Sequence, residues 1–227
     1  MMHLPHGFCL ALLLTGAVSA AEPAPSTGSG QAATIWRLDQ VAQIDGHTAE
    51  VLGTPHVVKE AGGSAVAFNG ASDGLFVPAN PLAGHAQFTV EILFRPDEGG
   101  LPEQRFVHIQ DKSDWRIMIE TRLDGKGGWW LDTFLGNPTG GQPLIDPKRV
   151  HPTGQWYWAA LSFDGQHMTH YVNGAKELEA EVKFGPMTEG RISLGVRQNK
   201  VYWFKGAIRE VRFHAAALAP AELQRMP

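Results

Sequence analysis

Cysteine is nearly missing from this 227-residue chain: the single thiol, Cys9, sits in an apolar run close to the start. A domain downstream of it can contain neither a disulfide nor a cysteine-ligated metal and has to rest on its own core. Runs of Lys and Arg are missing as well. The formal charge of −4 comes from both signs interspersed along the chain, which argues against a nucleic-acid or anionic-membrane partner. The apolar run at residues 8–14 (FCLALLL) is too short to cross a bilayer, so no membrane insertion is expected. The one Asn-x-Thr triplet, Asn137-Pro138-Thr139, is disqualified as a glycosylation acceptor by its proline. No internal repeat is visible, and no segment before the C-terminal stretch keeps a helical period.

What is present begins with a leader. Residues 8–14 and the small-residue site Val18-Ser19-Ala20 have the form of a secretory signal peptide over residues 1–20, cleaved near Ala20. Cys9 lies inside the apolar segment, not after small residues at its end, which argues against a lipid-modified cysteine. A secreted or periplasmic location follows as an expectation. Residues 22–30 (EPAPSTGSG) have the composition of a flexible linker, assigned to 21–33. The folded domain is assigned to 34–227.

Within that domain, 26 Gly and 15 Pro point to many turns. Residues 155–174 (QWYWAALSFDGQHMTHYVNG) carry two β-rich runs around Asp164-Gly165, closed by Asn173-Gly174. Asp-Gly and Asn-Gly supply the positive φ angles that tight hairpins need. In residues 88–94, Phe88, Val90, Ile92 and Phe94 alternate with the mixed set Thr89, Glu91 and Leu93, as in a strand with one face on a core. Further strands are expected over 105–110, 115–122, 128–134, 191–196 and 201–213, the last broken near Gly206. A short turn of helix is expected over 215–224. The fold class is all-β, a two-sheet antiparallel β-sandwich or jelly roll.

Three ordered motifs carry a family resemblance. Phe68-Asn69-Gly70 with Phe76-Val77-Pro78 and Phe88-Thr89-Val90-Glu91 resemble the opening of laminin G-like domains, in the concanavalin A-like lectin/glucanase superfamily. Trp156, leading through Asp164-Gly165 to Tyr171-Val172-Asn173-Gly174, is similar to that family's central hairpin, where Trp156 would be core. Residues 204–213 (FKGAIREVRF) resemble its closing strand. The resemblance implies lectins, adhesion modules, glycosidases or polysaccharide lyases. In glucanase relatives an aspartate of the closing strand helps hold a structural calcium. Arg209 stands at that position, and a guanidinium cannot coordinate a cation that needs oxygen ligands. Asp73 or Asp164 with loop carbonyls could build such a site elsewhere.

The Glu-x-Asp-x-x-Glu strand of the glucanases is absent, and neither His-x-His nor Glu-x-x-His spacing supports a catalytic metal. The candidates for a ligand site lie on three consecutive strands: Arg105, His108 and Gln110; then Arg116, Glu120 and Arg122; then Trp130 and Asp132. Residues two apart share a strand face, so aligned strands would form a groove of arginines, carboxylates, a histidine and an indole. Arg matches a uronate carboxylate bidentately, and an indole stacks on a pyranose ring. The same charged residues also fit a solvated cross-strand ladder. The leading expectation is a lectin-like module that binds a polysaccharide, an acidic one included. One alternative is a polysaccharide lyase or atypical glycoside hydrolase using His108, Glu120 and His170. Glu120-Thr121-Arg122 is similar to half of the arginine strand of jelly-roll alginate lyases, though His108-Ile109-Gln110 runs in the reverse order of their Gln-Ile-His. A second alternative is a protein–protein or cell-envelope interaction module.

Overall fold

Eighteen strands and no helix make up the described part of the protein, which in this computed structural model comprises residues 1–2 and 33–227. The expected leader and most of the linker lie outside the described residues. The chain opens with β1 (Thr34–Arg37), β2 (Gln43–Ile44), β3 (His47–Thr48), β4 (Glu50–Leu52), β5 (His56–Glu60), β6 (Gly63–Asn69) and β7 (Gly74–Val77). It continues through β8 (Phe88–Pro96), β9 (Glu103–Asp111), β10 (Arg116–Leu123), β11 (Gly128–Asn137), β12 (Gly140–Ile145) and β13 (His151–Pro152). It closes with β14 (Tyr157–Phe163), β15 (His167–Val172), β16 (Ala175–Glu181), β17 (Gly190–Leu194) and β18 (Lys205–His214).

Two antiparallel sheets result. The first runs β16-β15-β14-β8-β18-β6-β5, with β1 on β18; the second runs β12-β11-β10-β9-β17-β7-β4, with β13 on β11. Strands β2 and β3 form a small separate ribbon. The alternation in β8 turns Phe88, Val90, Ile92 and Phe94 into the space between the sheets. There Phe94 stacks on Phe106 of β9 at 4.3 Å and meets Trp129 of β11 edge-on at 5.2 Å, so one aromatic cluster ties the two sheets. Each large side chain buried in this way contributes roughly 1.5–3 kcal/mol.

The turns follow their residues. Asn173 (φ 49°) and Gly174 (φ 74°) are both left-handed, the geometry of a two-residue turn between β15 and β16. At the other end only Gly165 is left-handed, and Asp164 Oδ1 accepts from the N–H of Gln166 and of His167, which widens that turn.

Three expectations need correction. The closing strand begins at Lys205, so residues 201–204 are not part of it, and Gly206 stays in the ladder opposite Pro96. Residues 215–224 do not form a helix. Thr89 Oγ1 accepts from Leu218 N–H and Glu91 accepts from Gln224 N–H, so the tail is laid out along β8 with one turn around 220–222. Trp156 is not core either: its ring lies between the guanidiniums of Arg209 (4.2 Å) and Arg95 (5.6 Å), and its Nε1 donates to Glu60.

Candidate ligand-binding site

Strands β9, β10 and β11 lie side by side, and their register decides which candidate side chains meet. Gln110 faces Arg116, His108 faces Met118, and Arg105 faces Glu120; across the other edge Glu120 faces Asp132 and Arg122 faces Trp130. By parity alone Arg105 and His108 would point to opposite faces. A β-bulge opposite Ile119/Glu120 inserts one residue into β9, so Phe106 and Val107 both turn into the core while Arg105 and His108 share the outer face. The sheet thereby gathers all eight expected ligand-site residues on one side.

Seven of them form two separate groups. In the first, Arg105 and Arg122 are closed in by Glu103, Glu120 and Asp132. Arg122 donates through Nε to Asp132 at 2.7 Å and pairs through Nη1 with Glu103 at 2.5 Å. Arg105 donates to Glu103 at 2.9 Å, and its Nε lies 3.0 Å from Glu120 without the alignment of a hydrogen bond. The Tyr202 ring covers the Arg105 guanidinium at 4.0 Å. Three carboxyls against two guanidiniums leave one negative charge too many in a buried place. Burial accordingly pushes Glu120 and Asp132 above the usual carboxylate range, with Asp132 adding to the rise at Glu120 and the arginines opposing it in both. This group is a structural net, and its guanidiniums are already occupied.

The second group lines a pocket of about 640 Å³ at the β9–β17 end of the same face. Its walls include His108, Gln110 and Arg116, joined by Arg191 of β17 and by Arg197 and Gln198 of the following loop. Arg191 arrives there because it pairs with Gln110 in the ladder. The 195–204 loop is fastened over β9. Gln198 N–H donates to His108 Nδ1 at 3.2 Å, Gln198 Nε2 donates to His108 O at 3.1 Å, and Arg191 Nε donates to Gln198 Oε1 at 2.7 Å. Lys200 (φ 61°) and Tyr202 (φ 58°) are held left-handed in this loop, a cost that the surrounding bonds must offset. His108 is 1% exposed. Burial first, then Arg197, Arg116, Arg105 and Arg191, lower its pKa to about 3, so its imidazole is neutral. Gln198 N–H can only donate, so Nδ1 is the bare nitrogen and Nε2 carries the hydrogen.

His170 does not join either group. It lies between the sheets on β15, its Nδ1 3.1 Å from Thr133 Oγ1 on the inner face of β11. Glu177 Oε2 is 3.8 Å from its Nε2, and burial, with a contribution from Arg149, lowers its pKa to about 3. The set His108, Glu120 and His170 therefore does not converge in one cleft. Of the neighbouring tryptophans, Trp129 is wholly core and Trp130 is half-buried on the outer face.

Arg209 is the bulged residue of β18, donating to Ala61 O and stacking on Trp156. The carboxylates that could have built a calcium site elsewhere are engaged by backbone amides: Asp73 by Thr54 and Asn69, Asp164 by Gln166 and His167. Among the described residues no group of three or more His, Cys, Asp or Glu side chains is arranged to hold a metal ion, and no helix is long and apolar enough to cross a membrane.

A laminin G-type family model, described as the concanavalin A-like lectin/glucanases superfamily, matches residues 69–224, and the chain belongs to that superfamily. No curated protein matches the chain significantly. Among solved structures, domain 4 of an extracellular arabinanase from Geobacillus stearothermophilus, in complex with arabinotriose, is similar at 20% identity and a TM-score of 0.64, over 83% of this chain and 94% of that one. The binding domain of Paraclostridial Mosquitocidal Protein 1 follows at 16% identity and 0.62, and that of botulinum neurotoxin serotype D at 13% and 0.60. Both cover 84% of this chain, which spans 50% of theirs. At these identities the likeness is one of fold.

Proposed function

We propose that the protein is a carbohydrate-binding module that holds a polysaccharide against the outer face of the second sheet without cleaving it. The observation that carries this reading is the pocket beside His108, a concave site framed by Arg116, Arg191 and Arg197 on a lectin-type sandwich. Saccharides are dense in oxygen acceptors, and the pocket offers N–H groups to meet them. Further along the same face, the half-buried indole of Trp130 gives a ring surface against which a pyranose can lie. The arabinotriose complex of the similar arabinanase domain lends support from the same fold. The leader-like residues 1–20 belong to the reading too, since they would carry the module out of the cytoplasm to where polysaccharides are met.

Turnover would need groups that this face keeps engaged. A glycosidase needs a pair of available carboxyls, and a lyase needs a base for the proton α to a carboxylate. Glu103, Glu120 and Asp132 are held by the two arginines of the net, and the one lone pair of His108 that could act as base receives Gln198 N–H. Electrophoresis through gels cast with neutral and uronate polysaccharides, with assay of the same mixtures for unsaturated and reducing ends, tests the reading. Retardation without new ends is the expected result. New ends that vanish in His108→Ala would make this an enzyme, and passage through every gel unretarded would remove the glycan reading.

A further inference from the structure

The polar atoms along the pocket that are buried and have no protein partner are His108 Nε2, Arg116 Nε and Arg197 Nε. All three are donors; no buried acceptor there is left over. Arg191 and Arg197 have no carboxylate within ion-pair distance among the described residues, and the nearest to Arg116 is Asp114 at 3.8 Å. Arg191 instead rests on the Phe76 ring at 4.8 Å and Arg116 beside that of Phe134 at 5.9 Å, aromatic faces that orient a guanidinium without neutralising it.

Asp111, the acid in the pocket wall, is spent as well. Its Oδ1 accepts from the N–H of Ser113 and Trp115, and its Oδ2 from the N–H and hydroxyl of Thr188. Three arginines stand against this one acid, while the fourth basic side chain of the wall, Lys112, is paired with Glu189 at 2.8 Å, in a chain whose formal charge is −4. Such a concentration of one sign, walled by a fixed loop, focuses an anion and repels a cation.

We infer that this pocket is an oxyanion subsite: it takes a carboxylate or sulfate carried by a sugar ring, with Arg116, Arg191 and Arg197 supplying the charge and His108 Nε2–H a neutral, buried donor. This rests on the glycan-binding reading for the carrier, but not for the anion. Three guanidiniums with one imidazole N–H can satisfy more than one oxygen of such a group in a bidentate manner. An amine or metal would find the one carboxylate of the wall, Asp111, already engaged by four donors.

The test is calorimetric titration of the protein with a uronate oligosaccharide, its carboxyl-reduced counterpart, a sulfated oligosaccharide and its desulfated form, and inorganic sulfate. Proton NMR of the His108 Nε2–H accompanies each. Arg191→Gln with Arg197→Gln is the variant, because neither residue is core. A charged oligosaccharide should bind at least about tenfold tighter than its uncharged counterpart, as expected for charge-assisted hydrogen bonds. The double variant should lose that margin, so that charged and uncharged forms bind it equally, and in the wild type the Nε2–H signal should move downfield with the charged ligand. Preference for the uronate over the sulfated chain, or the reverse, identifies the group. Equal affinity for charged and uncharged chains, or a double variant that keeps the margin, overturns the subsite and leaves the glycan reading standing. Binding of inorganic sulfate that shifts the His108 signal while every oligosaccharide fails would support the subsite and remove the carrier.

Discussion

Gln198 donates its backbone N–H to His108 Nδ1 at 3.2 Å and returns its side-chain amide to the carbonyl of the same residue at 3.1 Å. One residue of the 195–204 loop thus fixes the tautomer of the histidine and anchors the loop that carries Arg197. Gln198→Ala keeps the first bond and loses the second, together with the support of Arg191. We expect a loss of about 1–2 kcal/mol and a melting temperature lower by several degrees in scanning calorimetry. Weakened binding with an unchanged melting temperature would show that the amide orients Arg191 without securing the loop.

The charge imbalance of the Arg105–Arg122 net has a pH signature. Glu120 titrates above its ordinary 4.5 in the folded chain. Its contribution to stability is full below that ordinary value and is lost as pH rises through the raised one. Glu120→Gln removes the titration. Urea midpoints from pH 4 upward should therefore fall more steeply for the wild type than for the variant, and parallel curves would contradict the raised value.

His170 acts in the opposite direction. Its folded-state pKa is lowered from 6.5 to about 3, so stability is full above 6.5 and drains away as pH falls toward 3, by at most about 1.4 kcal/mol per unit. His170→Leu leaves Thr133 Oγ1 without its partner and starts from a lower baseline. Its midpoint should nevertheless decline less between pH 6.5 and 3 than that of the wild type. His108, lowered for a similar reason, remains in both proteins and cancels in the difference.

Gly195 opens the loop at φ 79°, and a Cβ there would come within 2.3 Å of the Phe68 ring. Gly195→Ala combines a left-handed backbone with overpacking against the core, which costs about 2–4 kcal/mol. Because Phe204 N–H closes the loop onto Gly195 O, we expect ligand affinity and thermal stability to fall together. A stable variant that still binds would mean the loop tolerates a wider mouth.

The β8 alternation was legible because a period of two is local: Phe88, Val90, Ile92 and Phe94 pack inward where the pattern puts them. Strand β16 was not. Its sequence AKELEAE suits a helix as well as a strand, and it is pairing with β15 that decides. The eight candidate residues could be grouped by strand, but the bulge that brings Arg105 round to the side of His108 leaves no mark in the residues themselves. Nor did the sequence separate the occupied arginines from the unoccupied ones. By residue type Arg122 equals Arg116 as a ligand, yet three carboxylates surround it. Arg191 and Arg197, on either side of Gly195, went unnoticed because their neighbour Gln110 is reached only through the β9–β17 register.

The tail that crosses β8 gives the sandwich a back. Glu91 grips His214 at 2.9 Å and the Gln224 amide at 2.6 Å on the outward side of the first sheet, whereas the pocket opens on the outward side of the second. A surface, dye or carrier coupled near Arg225 would therefore stand behind the molecule and leave the His108 side facing the solution. Tethering at the tail would leave that face open to solution.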